Sequence, residues 1–152
     1  MRSTLLVLAP ALLALARPGA AQISVVPIRD LAFGSVLVGV PSYVPPSHPT
    51  RSGQYRITAP VSSKVRMRFT LPSRLDGPAG ATLPISFGNN DAIASGTAPN
   101  SVPETFNPKG ASVQMIVPSP IVHVWIGGTV SPAGNQPQGN YTGTIIFTVT
   151  PL

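Results

Sequence analysis

Two histidines, four carboxylates and no cysteine are everything this chain offers for metal or proton chemistry. His48 sits in the proline-rich PSYVPPSHP and His123 in the apolar IVHVWIGG, so neither has a partner at ligand spacing. A metal site of imidazole and carboxylate needs three or four groups to converge. Here they would have to come from Asp30, Asp76, Asp91 and Glu104, which are scattered along the chain. The same four acids are the whole supply for paired-carboxylate hydrolysis, and no GxSxG-type elbow presents a serine. Asn89, Asn90 and Asp91 in FGNND carry oxygen ligands of the kind calcium takes. They lack the several carboxylates of a tight site, and a solvated turn is the simpler reading. Without cysteine there are no thiol nucleophiles, thiolate metal sites or disulfides. The sequence therefore predicts a non-enzymatic protein with no cofactor and no metal.

The basic side chains are the remaining chemistry. Lys64, Arg66 and Arg68 alternate with Val65, Met67 and Phe69, so a strand over this stretch lines the three cations along one face. One reading of that stripe is contact with an anionic surface, such as envelope polysaccharide or lipid headgroups. The plainer reading is solubility and protection against edge pairing. Asn140-Tyr141-Thr142 matches a glycosylation sequon, but the same residues serve a turn and a strand start.

Strands must position these groups. Residues 1–21 read as a cleaved signal peptide: Arg2 is the positive start, Leu5 to Ala16 the apolar run, and Gly19-Ala20-Ala21 the small residues before cleavage. No membrane span is expected once it is removed. The remaining 131 residues, Gln22 to Leu152, make one domain with eight basic side chains against four acidic. That modest excess argues against nucleic acid. Proline and glycine supply 30 of the 131, yet Leu, Ile, Val and Phe supply 36, enough for a core. Ile and Val number 25 against six Leu, a strand composition. No segment repeats apolar residues at helical spacing over three turns.

Ile23 to Ile28, broken by Pro27, reads as an edge strand, with Ile23 and Val25 on one face. Leu31 to Gly39 reads as a second strand bent at Gly34, and Pro41 to Pro49 as a loop. Gln54 to Thr58 and Lys64 to Leu71 both alternate. A hairpin between them would oppose Arg56 and Arg66, which is unfavourable. Signals weaken from Pro72 to Gly110, with short strands expected at Leu83 to Phe87 and near Ile93. Ser112 to Val117 alternates again. Ile121 to Val130 is a continuous apolar run of the kind buried on both faces, with Trp125 in the core. Gly139 to Thr150 closes the chain with Tyr141, Ile145, Phe147 and Val149 on one face. Seven to nine short strands separated by Gly, Pro and Asn turns predict an all-β, antiparallel, Greek-key sandwich without disulfides.

Three stretches carry a resemblance: DLAFGSVLVG, GQYRITAPVSSKVRMRFTLPS and GGTVSPAGNQPQGNYTGTIIFTVTPL. Together they resemble a secreted bacterial family of unknown function that is similar to the spore coat protein U group and, more distantly, to chaperone-usher pilins. The resemblance implies an immunoglobulin-like, pilin-like sandwich, exported to the periplasm, cell surface or medium, with a structural or adhesive role. Implied partners are other copies of the chain or other pilin-like subunits, with a periplasmic chaperone and usher. The alternative is a monomeric periplasmic or secreted module binding anionic polysaccharide or another envelope ligand. Tyr141, after the turn-forming Gln-Gly-Asn, stands where such sandwiches place a tyrosine corner, or is an ordinary strand aromatic. The last strand resembles the penultimate one of an immunoglobulin sandwich, so an open edge that invites strand addition is expected. Ile23 and Val25 are candidates for the exchanged strand, but they are also wanted as the subunit's own first strand, where they are expected to stay.

Overall fold

Alternation becomes strand over Gln54 to Thr58 and Lys64 to Thr70. In the computed structural model, which describes residues 22–96 and 104–152, the chain forms an all-β, antiparallel sandwich. The signal peptide expected over 1–21 lies outside the described residues. The first strands are β1 (Ser24–Arg29), β2 (Ser42–Val44), β3 (Gly53–Thr58) and β4 (Lys64–Thr70). Then come β5 (Arg74–Asp76), β6 (Thr82–Ser86), β7 (Ala92–Gly96) and β8 (Glu104–Phe106). The last are β9 (Val113–Ile116), β10 (Ile121–Ile126), β11 (Gly128–Val130) and β12 (Ile146–Pro151). Twelve strands among the described residues is more than the expected seven to nine; eight of them exceed three residues. The other four are three-residue strands in stretches too short to show a period.

The strands form a five-stranded sheet in the order β1-β3-β10-β7-β8, a four-stranded sheet β2-β11-β6-β5, and a three-stranded sheet β12-β4-β9. β3 and β4 do not pair. Their separation into different sheets keeps Arg56 away from Arg66. Side chains pointing inward from all three sheets make one core: Ile57, Val122 and Val124 from the first, Leu83, Ile85 and Val130 from the second, Val65, Met67 and Phe69 from the third. Full burial of each aliphatic side chain contributes about 1.5–3 kcal/mol. Aromatic rings tie the layers together, with Phe147 centred 4.5 Å from Phe69 and 5.0 Å from Tyr55.

Several elements differ from the sequence reading. Ile121 to Val130 is not one strand buried on both faces but two strands in different sheets, joined at Gly127. A side chain at Gly127 would overlap the Val44 carbonyl oxygen and the Pro46 nitrogen, so only glycine lets the backbones cross there. In β10 the inward residues are Val122, Val124 and Ile126, while His123 and Trp125 point outward and are half-buried. The expected core position of Trp125 is thus corrected by strand parity. Leu31 to Gly39 forms no strand. Gly34 and Gly39 have φ of +69° and +72°, left-handed conformations that break an extended path. The last strand begins at Ile146 rather than Gly139. β5 was invisible because its three residues carry two charges.

Candidate functional site

A groove of about 980 Å³ opens where β1 ends and β12 begins, bounded by Asp30 and Leu31 on one side and Ile145 on the other. Tyr55, Leu75, Leu83, Ile85 and Ile126 supply apolar lining from the sheets. Two irregular segments complete it, residues 31–38 and 136–143. The first is held by the Ala32 amide, which donates to the Arg51 carbonyl at 2.8 Å. In the second, Tyr141 donates its hydroxyl to the Pro137 carbonyl, four residues upstream, at 2.7 Å, and receives the Gln136 amide at 2.7 Å. Thr142 and Asp76 exchange backbone hydrogen bonds of 2.7 and 2.9 Å. Next to the two segments, the Gly39 amide donates to the Ala133 carbonyl at 3.2 Å. At and beside the groove, Leu37, Val38 and Val40 are 75%, 51% and 52% exposed, an apolar patch on this loop.

The edge of β12 has a defined polarity. The Leu152 amide donates to the Lys64 carbonyl at 3.0 Å. In an antiparallel pair, bonded and non-bonded residues alternate. Thr150, Thr148 and Ile146 therefore face β4 with their backbone groups, and Phe147 and Val149 turn theirs outward. No strand pairs with that side among the described residues. The same logic turns the Pro151 nitrogen outward at the end of β12 and applies equally to β1. The Ala59 amide bonds the Pro120 carbonyl, so odd residues of β3 pair with β10 and even ones with β1. The Pro27 nitrogen, opposite Tyr55, then faces away from the ladder. Proline costs no hydrogen bond there and blunts the edge. Ile23, just before β1, and Val25 within it pack against the molecule's own core, and Val25 stands opposite Ile57.

Burial pushes the Tyr55 hydroxyl above the ordinary tyrosine range, and the negative charge of Asp30 pushes it the same way. The groove therefore keeps a neutral hydroxyl beside its apolar lining.

Lys64, Arg66 and Arg68 are exposed on the outer face of β4. β4 is the central strand of its sheet, so the stripe does not guard an edge. Across it stand Thr150 and Gln114 opposite Arg66, Thr148 opposite Arg68 and Ile116 opposite Lys64, with no carboxylate among them. The cations recur about every 6.5 Å along the strand.

The remaining polar candidates are occupied within the fold. Asp91 is buried and accepts from the Gly88 amide at 2.6 Å and the Tyr43 hydroxyl at 3.0 Å, so its carboxylate closes the FGNND turn. His48 Nδ1 accepts from the Thr50 and Arg51 amides at 3.3 and 3.1 Å, and His123 Nδ1 meets the Gln54 amide at 3.2 Å. Among the described residues no three His, Asp or Glu side chains come close enough to share a metal ion, and no helix is long and apolar enough to cross a membrane. Sequence reasoning missed the groove-lining stretch 31–38. Its signal was the pair of glycines interrupting an otherwise apolar run. No family model matches the chain, and no curated protein matches it either.

Proposed function

We propose that this chain is an exported, non-enzymatic structural or adhesive subunit, pilin-like in its immunoglobulin-like sandwich, that joins its neighbours by accepting a strand at the outer edge of β12. The observation that carries this reading is the unpaired outer edge of β12, with a large groove of mixed polar and apolar lining that begins at Ile145, next to the start of the strand. An added strand gains main-chain hydrogen bonds from the outward groups of Phe147 and Val149 and places alternate side chains in the groove. The Tyr141 to Pro137 bond has the form of a tyrosine corner, which supports the immunoglobulin-like comparison. β1 already pairs with β3, so the entering strand belongs to another segment or another protein. Other copies of the chain, related subunits and a periplasmic chaperone with its usher are the partners this reading needs.

The test uses Val149→Pro. Proline removes an outward amide that β4 does not use, so the subunit keeps its own ladder while the edge loses a donor. Surface material sheared from cells that naturally make the protein should run as heat-sensitive ladders without boiling. Ladders should vanish in Val149→Pro while folded monomer persists. Monomer alone in the parent protein overturns the reading, as do ladders that survive the substitution.

A second reading rests on the uncompensated charge of Lys64, Arg66 and Arg68: a monomeric envelope module that holds an anionic polymer. It calls for salt-sensitive retention on such a polymer without assembly.

A further inference from the structure

A second cleft, about 340 Å³, is lined by no residue of the groove. It lies over the outward side of the five-stranded sheet, with Trp125 as its aromatic surface and Gln54 and Ile93 beside it in register on the neighbouring strands. The loop through residues 46–49 lines the rest. That loop is pre-formed: the Arg29 guanidinium donates to the Ser52 carbonyl at 2.8 Å, the Pro49 carbonyl at 2.7 Å and the Ser52 hydroxyl at 3.0 Å. The Ser52 hydroxyl in turn donates to the His48 carbonyl at 2.7 Å. Because His48 Nδ1 accepts two amides, the hydrogen-bond pattern assigns the neutral ring's proton to Nε2, a donor on a cleft-lining residue. Gln54 spends its amide nitrogen on His123, which leaves its carbonyl oxygen as an acceptor.

A half-buried tryptophan on the wet side of a sheet offers a flat apolar face next to polar groups, the combination found at binding surfaces. Pyranose rings match it. Their axial C–H bonds carry partial positive charge that meets the negative face of the indole, and their hydroxyls meet amide and imidazole at the rim. Charge narrows the class. Arg29 lines the cleft, uses three of its five N–H groups in the loop, and no carboxylate lines the cleft with it. The one ion pair among the described residues is Arg74 with Asp76, elsewhere. Arg56, exposed opposite His123, continues positive charge along the same side of the sheet. We propose that this cleft binds an acidic, uronate-type saccharide, with one ring stacked on Trp125 and its carboxylate held by Arg29. The site is independent of the β12 edge and of the Lys64, Arg66 and Arg68 stripe.

Trp125 is the chain's single tryptophan, so its emission reports directly on the cleft. The probes are trigalacturonate and, as the neutral control, maltotriose, added to the protein carrying Lys64→Ser, Arg66→Ser and Arg68→Ser so that the stripe contributes nothing. Trigalacturonate should shift the emission saturably and bind about tenfold more tightly than maltotriose, the scale of one charge-assisted pair. By calorimetry, Trp125→Ala should lose binding and Trp125→Phe should keep part of it. Gln54→Ala, read by emission, should weaken binding and serves as well if Trp125→Ala does not fold. An unchanged emission, equal affinity for the two probes, or full binding by both Trp125→Ala and Gln54→Ala overturns the proposal. Surface ladders are unaffected by Trp125→Phe, so the two readings fail separately.

Discussion

At the scale of single residues, Phe147 joins the three-stranded sheet to the five-stranded one. Its ring stacks on Phe69 from the strand beside it and tilts against Tyr55 from the opposing sheet. Phe147→Ala should cost about 3 kcal/mol, the low end for a phenylalanine because the ring is only partly buried. Urea denaturation checks this, and a loss below about 1 kcal/mol would mean the ring cluster does not hold the sheets together. Tyr55 gives a pH dependence with a definite sign. Burial first and Asp30 second raise its hydroxyl above the ordinary value of about 10. The fold thus favours the neutral form. Its contribution is complete below the unfolded-state value and is lost as pH rises through the higher folded-state value. Stability of the parent protein should fall on going from pH 9 to 12, and Tyr55→Phe should fall less over the same window. Parallel thermal-midpoint curves for the two proteins would remove Tyr55 from the alkaline transition.

At the scale of elements, the decisive feature is the passage from β10 to β11, where the chain leaves one sheet and enters another. Gly127 makes it by passing against the backbone of Val44 and Pro46, and its amide is held by the Asp91 carbonyl at 2.8 Å. Gly127→Ala forces backbone apart rather than a flexible side chain and should cost about 2–3 kcal/mol, read by chemical denaturation. Loss of amide protection should centre on β2 and β11, which pair directly beyond the corner through Gly128 and Val44. A neutral result would mean that the two sheets are not locked at this point. Two of the edge strands share a feature: each carries a proline on its free side, Pro27 in β1 and Pro151 at the end of β12, and the free side of β12 keeps two donors ahead of it, at Phe147 and Val149.

At the scale of the whole molecule, functional surfaces arise where elements distant in sequence meet. The groove draws on β3, β5, β6 and the end of β10, and on two irregular segments about a hundred residues apart. The Trp125 cleft likewise needs β1, β3, β7, β10 and the 46–49 loop. The basic stripe is different. It lies on one strand, and alternation alone placed Lys64, Arg66 and Arg68 on a common outward face. Its surroundings came only from assembly, since a central position in the sheet surrounds the cations with Thr148, Thr150 and Gln114 instead of leaving them at an edge.

The amino-acid order by itself determined the all-β class, the strand character of β1, β3, β4, β9 and β10, and which side chains of β4 and β12 face inward. Each of these follows from composition or from a period of two, both local properties. It also determined that Pro27 belongs at an edge, because a missing amide is a local fact. Only the tertiary structure decided that Leu31 to Gly39 is a groove wall, that Trp125 faces outward and that the Ile121 to Val130 run serves two sheets. The reason is physical. Apolarity along a run says that burial is favourable without saying which face is covered, and backbone N–H and C=O groups are the same in nearly every residue, so periodicity carries no record of which strand becomes whose neighbour.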